Sequence, residues 1–190
     1  RTTVRFAEDG DYTIQVSGSD RADNQAPQVQ TQSFTVDTEA PSLTISGVRD
    51  MSANKEPVAP VISYDDVNLD LSKVSFRLTG SGTGENLTEG TAGVSGGQLT
   101  YTLPQIRQDD NYRLTARIED LAGNVSEQSV SFSVNQNGSV FEFLQPQVRD
   151  RYTNQAFYPS VRVWNVDEVT IVSVSLNGQN VPYTFEDGVI

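Results

Sequence analysis

The sequence predicts an all-β protein made of repeated antiparallel sandwiches, and three observations carry that prediction. Apolar and polar residues alternate in short runs, and clusters of Gly, Asn, Asp, Ser and Pro separate the runs. The pattern also returns after roughly 98–100 residues, the size of a seven-stranded sandwich. No stretch of ten or more residues shows a helical stripe, and the best helical candidate, 106–112, is too short and polar to be more than a turn.

The elements follow in order. At the start of the chain, strands are expected over 2–6, 12–19 and 31–36. In the middle, Val74, Phe76 and Leu78 alternate with Ser75, Arg77 and Thr79, and Leu99, Tyr101 and Leu103 with Thr100 and Thr102. Tyr112, Leu114, Ala116 and Ile118 then alternate with Arg113, Thr115, Arg117 and Glu119, and Val130, Phe132 and Val134 with Ser129, Ser131 and Ser133. Each run puts one face in a core and the other in water, as in an antiparallel sheet. Beyond them, strands are expected over 140–144, 158–164, 170–176 and 181–185.

The repeat is read position by position. Tyr12, Ile14, Asp20, Ala22 and Asn24 match Tyr112, Leu114, Asp120, Ala122 and Asn124; Phe34 and Val36 match Phe132 and Val134. Val48-Arg49-Asp50 matches Val148-Arg149-Asp150, and Val74, Phe76 and Leu78 match Val172, Val174 and Leu176. This phase divides the chain into the last strands of one unit (1–38), a complete unit (39–136) and the first strands of a third (137–190).

Composition excludes several functions. The 190 residues include no His and no Cys, so Ser-His-Asp and Cys-His catalysis, disulfides and the usual zinc ligand set are out. Thirteen Lys+Arg against 25 Asp+Glu leave a net charge of −12, which repels nucleic acid and anionic lipid. No run of about 18 apolar residues exists, so no membrane insertion is expected.

A few residues invite a closer reading. Asp9-Gly10-Asp11-Tyr12 recurs as Asp109-Asp110-Asn111-Tyr112. Tyr12 and Tyr112 read as tyrosine corners, each phenol packed inward with its hydroxyl on a nearby backbone group; the alternative is a carboxylate-rich Ca²⁺ loop. Asp20 and Asn24 recur as Asp120 and Asn124 and read as turn residues, the Asp bonding backbone amides ahead of it. Asp65, Asp66, Asn68 and Asp70 form the densest oxygen cluster and are weak metal candidates. Leu71 and Arg77 stand where an EF-hand needs Gly and Glu, so a solvated loop is favoured over Ca²⁺. Trp164, the single Trp, is expected to fill a core edge; the alternative is a sugar-stacking platform with Tyr152 and Tyr158. No catalytic pair of carboxylates stands out, and no cofactor other than Ca²⁺ comes into question.

The phrases "DGDYTIQVSGSDRADN…FTVDTEAPSLTI" and "DDNYRLTARIEDLAGNVSEQSVSFSV" resemble tandem bacterial immunoglobulin-like (Big-type) repeats, in which a D-G-x-Y strand, a D-x-A-G-N turn, an F-x-V-D strand end and an A-P opening recur. Arg21 and Asp23 depart from the turn motif, and residues 135–139 lack the A-P. The resemblance implies tandem immunoglobulin-like β-sandwiches in an extracellular or cell-surface bacterial protein. The expected role is a non-catalytic spacer or adhesion rod whose partners are neighbouring repeats and a protein or glycan receptor. The alternatives are a carbohydrate-binding accessory module of a glycan-degrading enzyme and a Ca²⁺-rigidified adhesin repeat. The pieces 1–38 and 137–190 each leave an apolar face to cover, so head-to-tail self-association between them is also expected.

Overall fold

The computed structural model describes residues 3–25, 30–82, 93–95, 98–144, 156 and 158–190. In chain order, β1 (Gly10–Val16) and β2 (Gln30–Val36) form a two-stranded antiparallel sheet with Tyr12 opposite Phe34. The middle of the chain contributes β3 (Ser42–Ser46), β4 (Ser52–Asn54), β5 (Val61–Asp65), β6 (Ser75–Gly80), β7 (Gly93–Ser95), β8 (Gln98–Thr102), β9 (Asp110–Glu119) and β10 (Val125–Val134). These make two four-stranded sheets, ordered β4-β10-β9-β6 and β3-β5-β8-β7. Then β11 (Val140–Phe143) pairs with β12 (Val161–Trp164), and β13 (Ser175–Leu176) with β14 (Gln179–Asn180).

The two four-stranded sheets close on one core. Along β9 the inward set Tyr112, Leu114, Ala116 and Ile118 is 0–3% exposed, while the residues between them face outward. The facing sheet contributes Leu43, Ile62 and Tyr64, and Phe76 bridges the layers, its ring 5.8 Å from Tyr64 and 5.5 Å from Tyr101. A one-residue slip of β9 would turn this whole set to solvent, which fixes the register. Truncating Leu114 to Ala should cost about 2–5 kcal/mol, the range for a fully buried leucine.

One pairing runs parallel. β4 lies beside the end of β10, Ser52 opposite Phe132 and Asn54 opposite Val134. Around it Met51 N donates to Ser131 O (2.7 Å), Asn135 N to Asn54 O (2.9 Å) and Asn54 Nδ2 to Ser133 O (2.9 Å), and Asp50 Oδ1 accepts from Ser131 N (2.8 Å).

Some expected strands are absent or shorter. Residues 3–6 join no ladder; Phe6 instead packs edge-on against Tyr12 and Phe34, at 5.0 and 5.2 Å. Of 158–164 only Val161–Trp164 is strand, and 170–174 and 181–185 are unpaired as strands. The reason is neighbourhood. In the sandwich, β6 takes its ladder from β9, whereas among the described residues 170–174 have no such strand beside them and Val172 is 93% exposed.

Candidate functional site

The two Asp–Asn turns share one geometry. Asp20 Oδ1 accepts from the backbone amides of Ala22 and Asn24 (2.8 and 3.0 Å) and Oδ2 from Asn24 Nδ2 (2.8 Å). Asp120 accepts from Asn124 N and Nδ2, both at 2.8 Å. Asp23 and Gly123 take the left-handed backbone that closes each turn, with φ of 61° and 95°. The hydrogen bonds from Asn24 hold the Asp20 carboxyl below its ordinary pKa. For Asp120, burial pushes upward, but the bonds from Asn124 and the amides of Gly123 and Ala122 outweigh it, and the net direction is down.

Both tyrosines bond the carbonyl four residues back: Tyr12 Oη donates to Glu8 O (2.8 Å) and Tyr112 Oη to Gln108 O (2.9 Å). Burial, with the nearby Asp110 and Asp109 charges, raises the Tyr112 phenol. Each ring stacks on a phenylalanine of the next strand, Phe34 at 5.5 Å and Phe132 at 5.6 Å.

The chain segment after β2 is held from both sides. Asp9 Oδ1 accepts from Thr38 N (3.0 Å) and Thr38 Oγ1 (2.8 Å). Asn68 Nδ2 donates to Asp37 Oδ2 (2.7 Å), Asn124 Nδ2 to Asp37 O (3.1 Å), and Ser126 Oγ to Pro41 O (2.5 Å). These contacts bring Asp37, Asp66 and Asp120 together, one carboxylate oxygen from each lying within 4.8 Å of the other two. Asp120 is buried and the others half-buried. Asn68 N donates to Asp66 Oδ1 (2.6 Å), completing a tight turn over the cluster. A cavity of about 320 Å³ opens beside it, lined by Asp9, Asp11, Asp37, Glu39 and Asp66 among others. Three converging carboxylates are hard oxygen donors of the kind Ca²⁺ takes.

The segment after β10 is held in a related way. Asp109 Oδ1 accepts from Gln136 N (3.0 Å), and Asp109 Oδ2 from Asn137 N (3.0 Å) and Nδ2 (2.7 Å). The amide of Gln136 leads the bonds that hold the Asp109 carboxyl below its ordinary pKa. Asn135 Nδ2 donates to Asn165 Oδ1 (2.6 Å) and Asp167 Oδ2 (2.7 Å), and Asn111 Nδ2 to Val166 O (2.8 Å).

Of the four metal candidates read from the sequence, the structure brings only Asp66 into the carboxylate cluster, with Asn68 as its hydrogen-bond partner. Asp65 is exposed and accepts from Ser42 Oγ through its carbonyl (3.0 Å). Asp70 caps the 3₁₀ turn Leu71–Lys73, accepting from Ser72 N (2.9 Å) and Oγ (2.6 Å), which lowers its pKa. Asp37 and Asp120 carry the site as much as Asp66 does, and the sequence pattern did not single out Asp37.

Trp164 does not fill a core edge. It is 55% exposed, with the Arg162 guanidinium over its ring at 5.4 Å and Nε1 directed to Glu142 Oε2 (3.4 Å). Tyr64, at the matching place in the sandwich, is buried because Phe76 faces it; Trp164 has no such ring across from it among the described residues. Tyr158 is 95% exposed and makes no ring contact with Trp164. Tyr152 lies outside the described residues.

No curated protein matches the sequence. Among solved structures, the crystal structure of CopC from Methylosinus trichosporium OB3b is similar over 50% of this chain and 92% of that one, at 19% identity and a TM-score of 0.37. A likeness at that level carries no argument about ligand or activity. Residues 43–136 match the family model of the bacterial Ig-like domain, and they span the two-sheet sandwich from within β3 to just past β10. With the paired sheets, the single core and that match, this part of the chain belongs to the bacterial Ig-like domain family.

Proposed function

We propose that this chain is a non-catalytic spacer or adhesion segment of a bacterial surface or secreted protein, in which Ig-like units follow one another with restricted hinges. The observation that carries this reading is the clamping of both connecting segments. Asp9 and Asp109 grip them from one side, and Asn68, Asn124 and Asp167 reach them from the other. A spacer needs such clamps because a free linker of several residues would let successive units swing. Small-angle scattering tests it: the chain should give one narrow distance distribution, which Asp9→Ala with Asp109→Ala broadens. An unchanged profile would remove the support. For location, proteases added to intact cells of the source bacterium should release this segment.

A second reading is favoured by one observation, the convergence of Asp37, Asp66 and Asp120. On this reading Ca²⁺ stiffens the first connection. Residues 37, 66 and 120 would supply the carboxylates, and a melting temperature that rises with Ca²⁺ over a chelated sample tests it. The rise should vanish in Asp66→Asn.

A further inference from the structure

The second connection has a cavity of its own, of about 250 Å³, beside the start of β11 and the end of β12. Asp109, Asn135, Asn137 and Asn165 supply its polar wall, and Val140 and Trp164 its apolar one. It uses the places that make the first cavity. Asp37, Glu39 and Asp66 line that one where Asn135, Asn137 and Asn165 line this one, so three acids have become three amides. The second cavity therefore offers neutral hydrogen-bonding groups beside an indole instead of donors for a cation.

Trp164 borders this cavity from the outer face of its sheet. Neighbouring residues on a strand point to opposite faces, and Val163 is the inward one, 7% exposed. Tyr64, the counterpart of Trp164 in the sequence repeat, also points inward, onto Phe76. Trp164 shares the outer face with Arg162, whose guanidinium covers one side of the ring, and with Val140 across the ladder. The outer face of β3–β5 is wet in the sandwich as well: Ser42 opposes Asp65 there, and both are exposed. The indole is thus open because of the side of the sheet it stands on. Strands added to the inner face would leave it open.

The amides are held in advance. Asn137 Nδ2 donates to Asp109 Oδ2 and Asn135 Nδ2 to Asp167 Oδ2, both at 2.7 Å, which fixes the two carboxamides. Their Oδ1 atoms accept no hydrogen bond among the described residues. Asn165 Nδ2 donates to Ser139 Oγ (2.7 Å) and keeps a second N–H. Two acceptors and a donor stand ready without the ordering cost of free side chains.

We propose that this cavity binds one neutral pyranose unit of a glycan, its C–H face on the ring face of Trp164 that Arg162 leaves free and its hydroxyls on Asn135, Asn137 and Asn165. An aromatic ring beside a few fixed polar groups suits a ligand with one apolar face and a polar rim. The volume lies below the roughly 300–1,000 Å³ of sites for drug-sized ligands, which fits a single ring. Asp109 and the net charge of −12 repel an acidic sugar. The proposal stands apart from the spacer reading, since a clamped connection holds with or without a sugar.

Trp164 is the only tryptophan of the chain, so its fluorescence reports this site alone. Methyl β-glucopyranoside, methyl β-galactopyranoside and N-acetylglucosamine are titrated into the whole chain. At least one should shift the emission saturably, with half-saturation in roughly the millimolar range expected of so small a ligand. Glucuronate should not. In saturation-transfer NMR, Trp164→Ala should abolish transfer to the bound sugar. Asn137→Ala, which keeps the backbone bond from residue 137 to Asp109, should weaken binding several-fold. Both variants lie outside the two-sheet core, and Trp164→Ala should leave the scattering profile of the chain unchanged. No saturable shift with any of the three sugars overturns the proposal. So does an equal shift with glucuronate, or undiminished transfer in Trp164→Ala.

Discussion

The two connecting segments, 37–41 and 135–139, use one hydrogen-bond frame with different charge. Asp9 and Asp109 each clamp the backbone that follows a strand end. Across the first connection Asp37 accepts from Asn68 at 2.7 Å; across the second Asn135 donates to Asp167 at 2.7 Å, so acid and amide have exchanged places. Asp66 accepts from Asn68 N, and Asn165 accepts from Asp167 N, in the same turn. Carboxamide and carboxylate oxygens thus serve the frame equally well. Charge does not follow the frame: three carboxylates converge at the first connection, while Asn135 and Asn165 replace two of them at the second. The geometry of a connection and its capacity for a cation are separable properties.

The sharpest way to break this comparison is at the buried member of the first connection. Asp120→Ala should cost about 1–3 kcal/mol in urea unfolding, because the half-buried Asn124 N loses the acceptor that the buried Asp120 supplies. Asp20→Ala, in the exposed copy of that turn, should have a clearly smaller effect. Next come the clamps. Asp109→Ala should speed amide exchange at Gln136 and Asn137 several-fold, and Asp9→Ala that at Thr38, each leaving the other connection unchanged. Smaller still is the double change Asp37→Asn with Asp66→Asn, which puts amides where the second connection has Asn135 and Asn165. In chelator its melting temperature should stay near that of the parent, while any Ca²⁺-dependent rise disappears. The smallest effect is acidic. The folded pKa of Asp109 is depressed, so its contribution is fully present above the ordinary carboxylate value of about 3.9 and is lost as pH falls through the lower folded value. Exchange at Gln136 should therefore quicken only below about pH 4, the ordinary carboxylate range.

The fold was legible wherever one face of a strand is buried. β9 alternates in sequence because a core lies on one side and water on the other; in the second half of β10 the outward Ser133 is itself buried beside β4. The same alternation at Val172, Val174 and Leu176 does not yield a full strand, since pattern describes a preference and a ladder needs a neighbour. β4 was not legible at all: Ser52, Ala53 and Asn54 have no apolar period, and their pairing is imposed by the end of β10. The carboxylate cluster was half legible. Asp66 and Asn68 adjoin in sequence, whereas Asp37 and Asp120 reach them only through the course of the chain after β2 and the turn after β9. Trp164 was misread because its counterpart Tyr64 owes its burial to Phe76, a residue of another strand.

The parallel pairing of β4 with the end of β10 has a mechanical consequence. A pull applied at Pro41 and Asn135 draws the two ends of the sandwich apart. Residues 50–54 and 131–135 lie side by side and run the same way, so that pull slides one along the other. The bonds from Met51, Asn54, Ser131 and Asn135 are then loaded together, in shear. An antiparallel hairpin pulled at its open end would release its bonds one at a time. A three-residue strand that places no buried side chain in the core thus sets where the sandwich resists tension, and the first rupture under load should be the parting of β4 from β10.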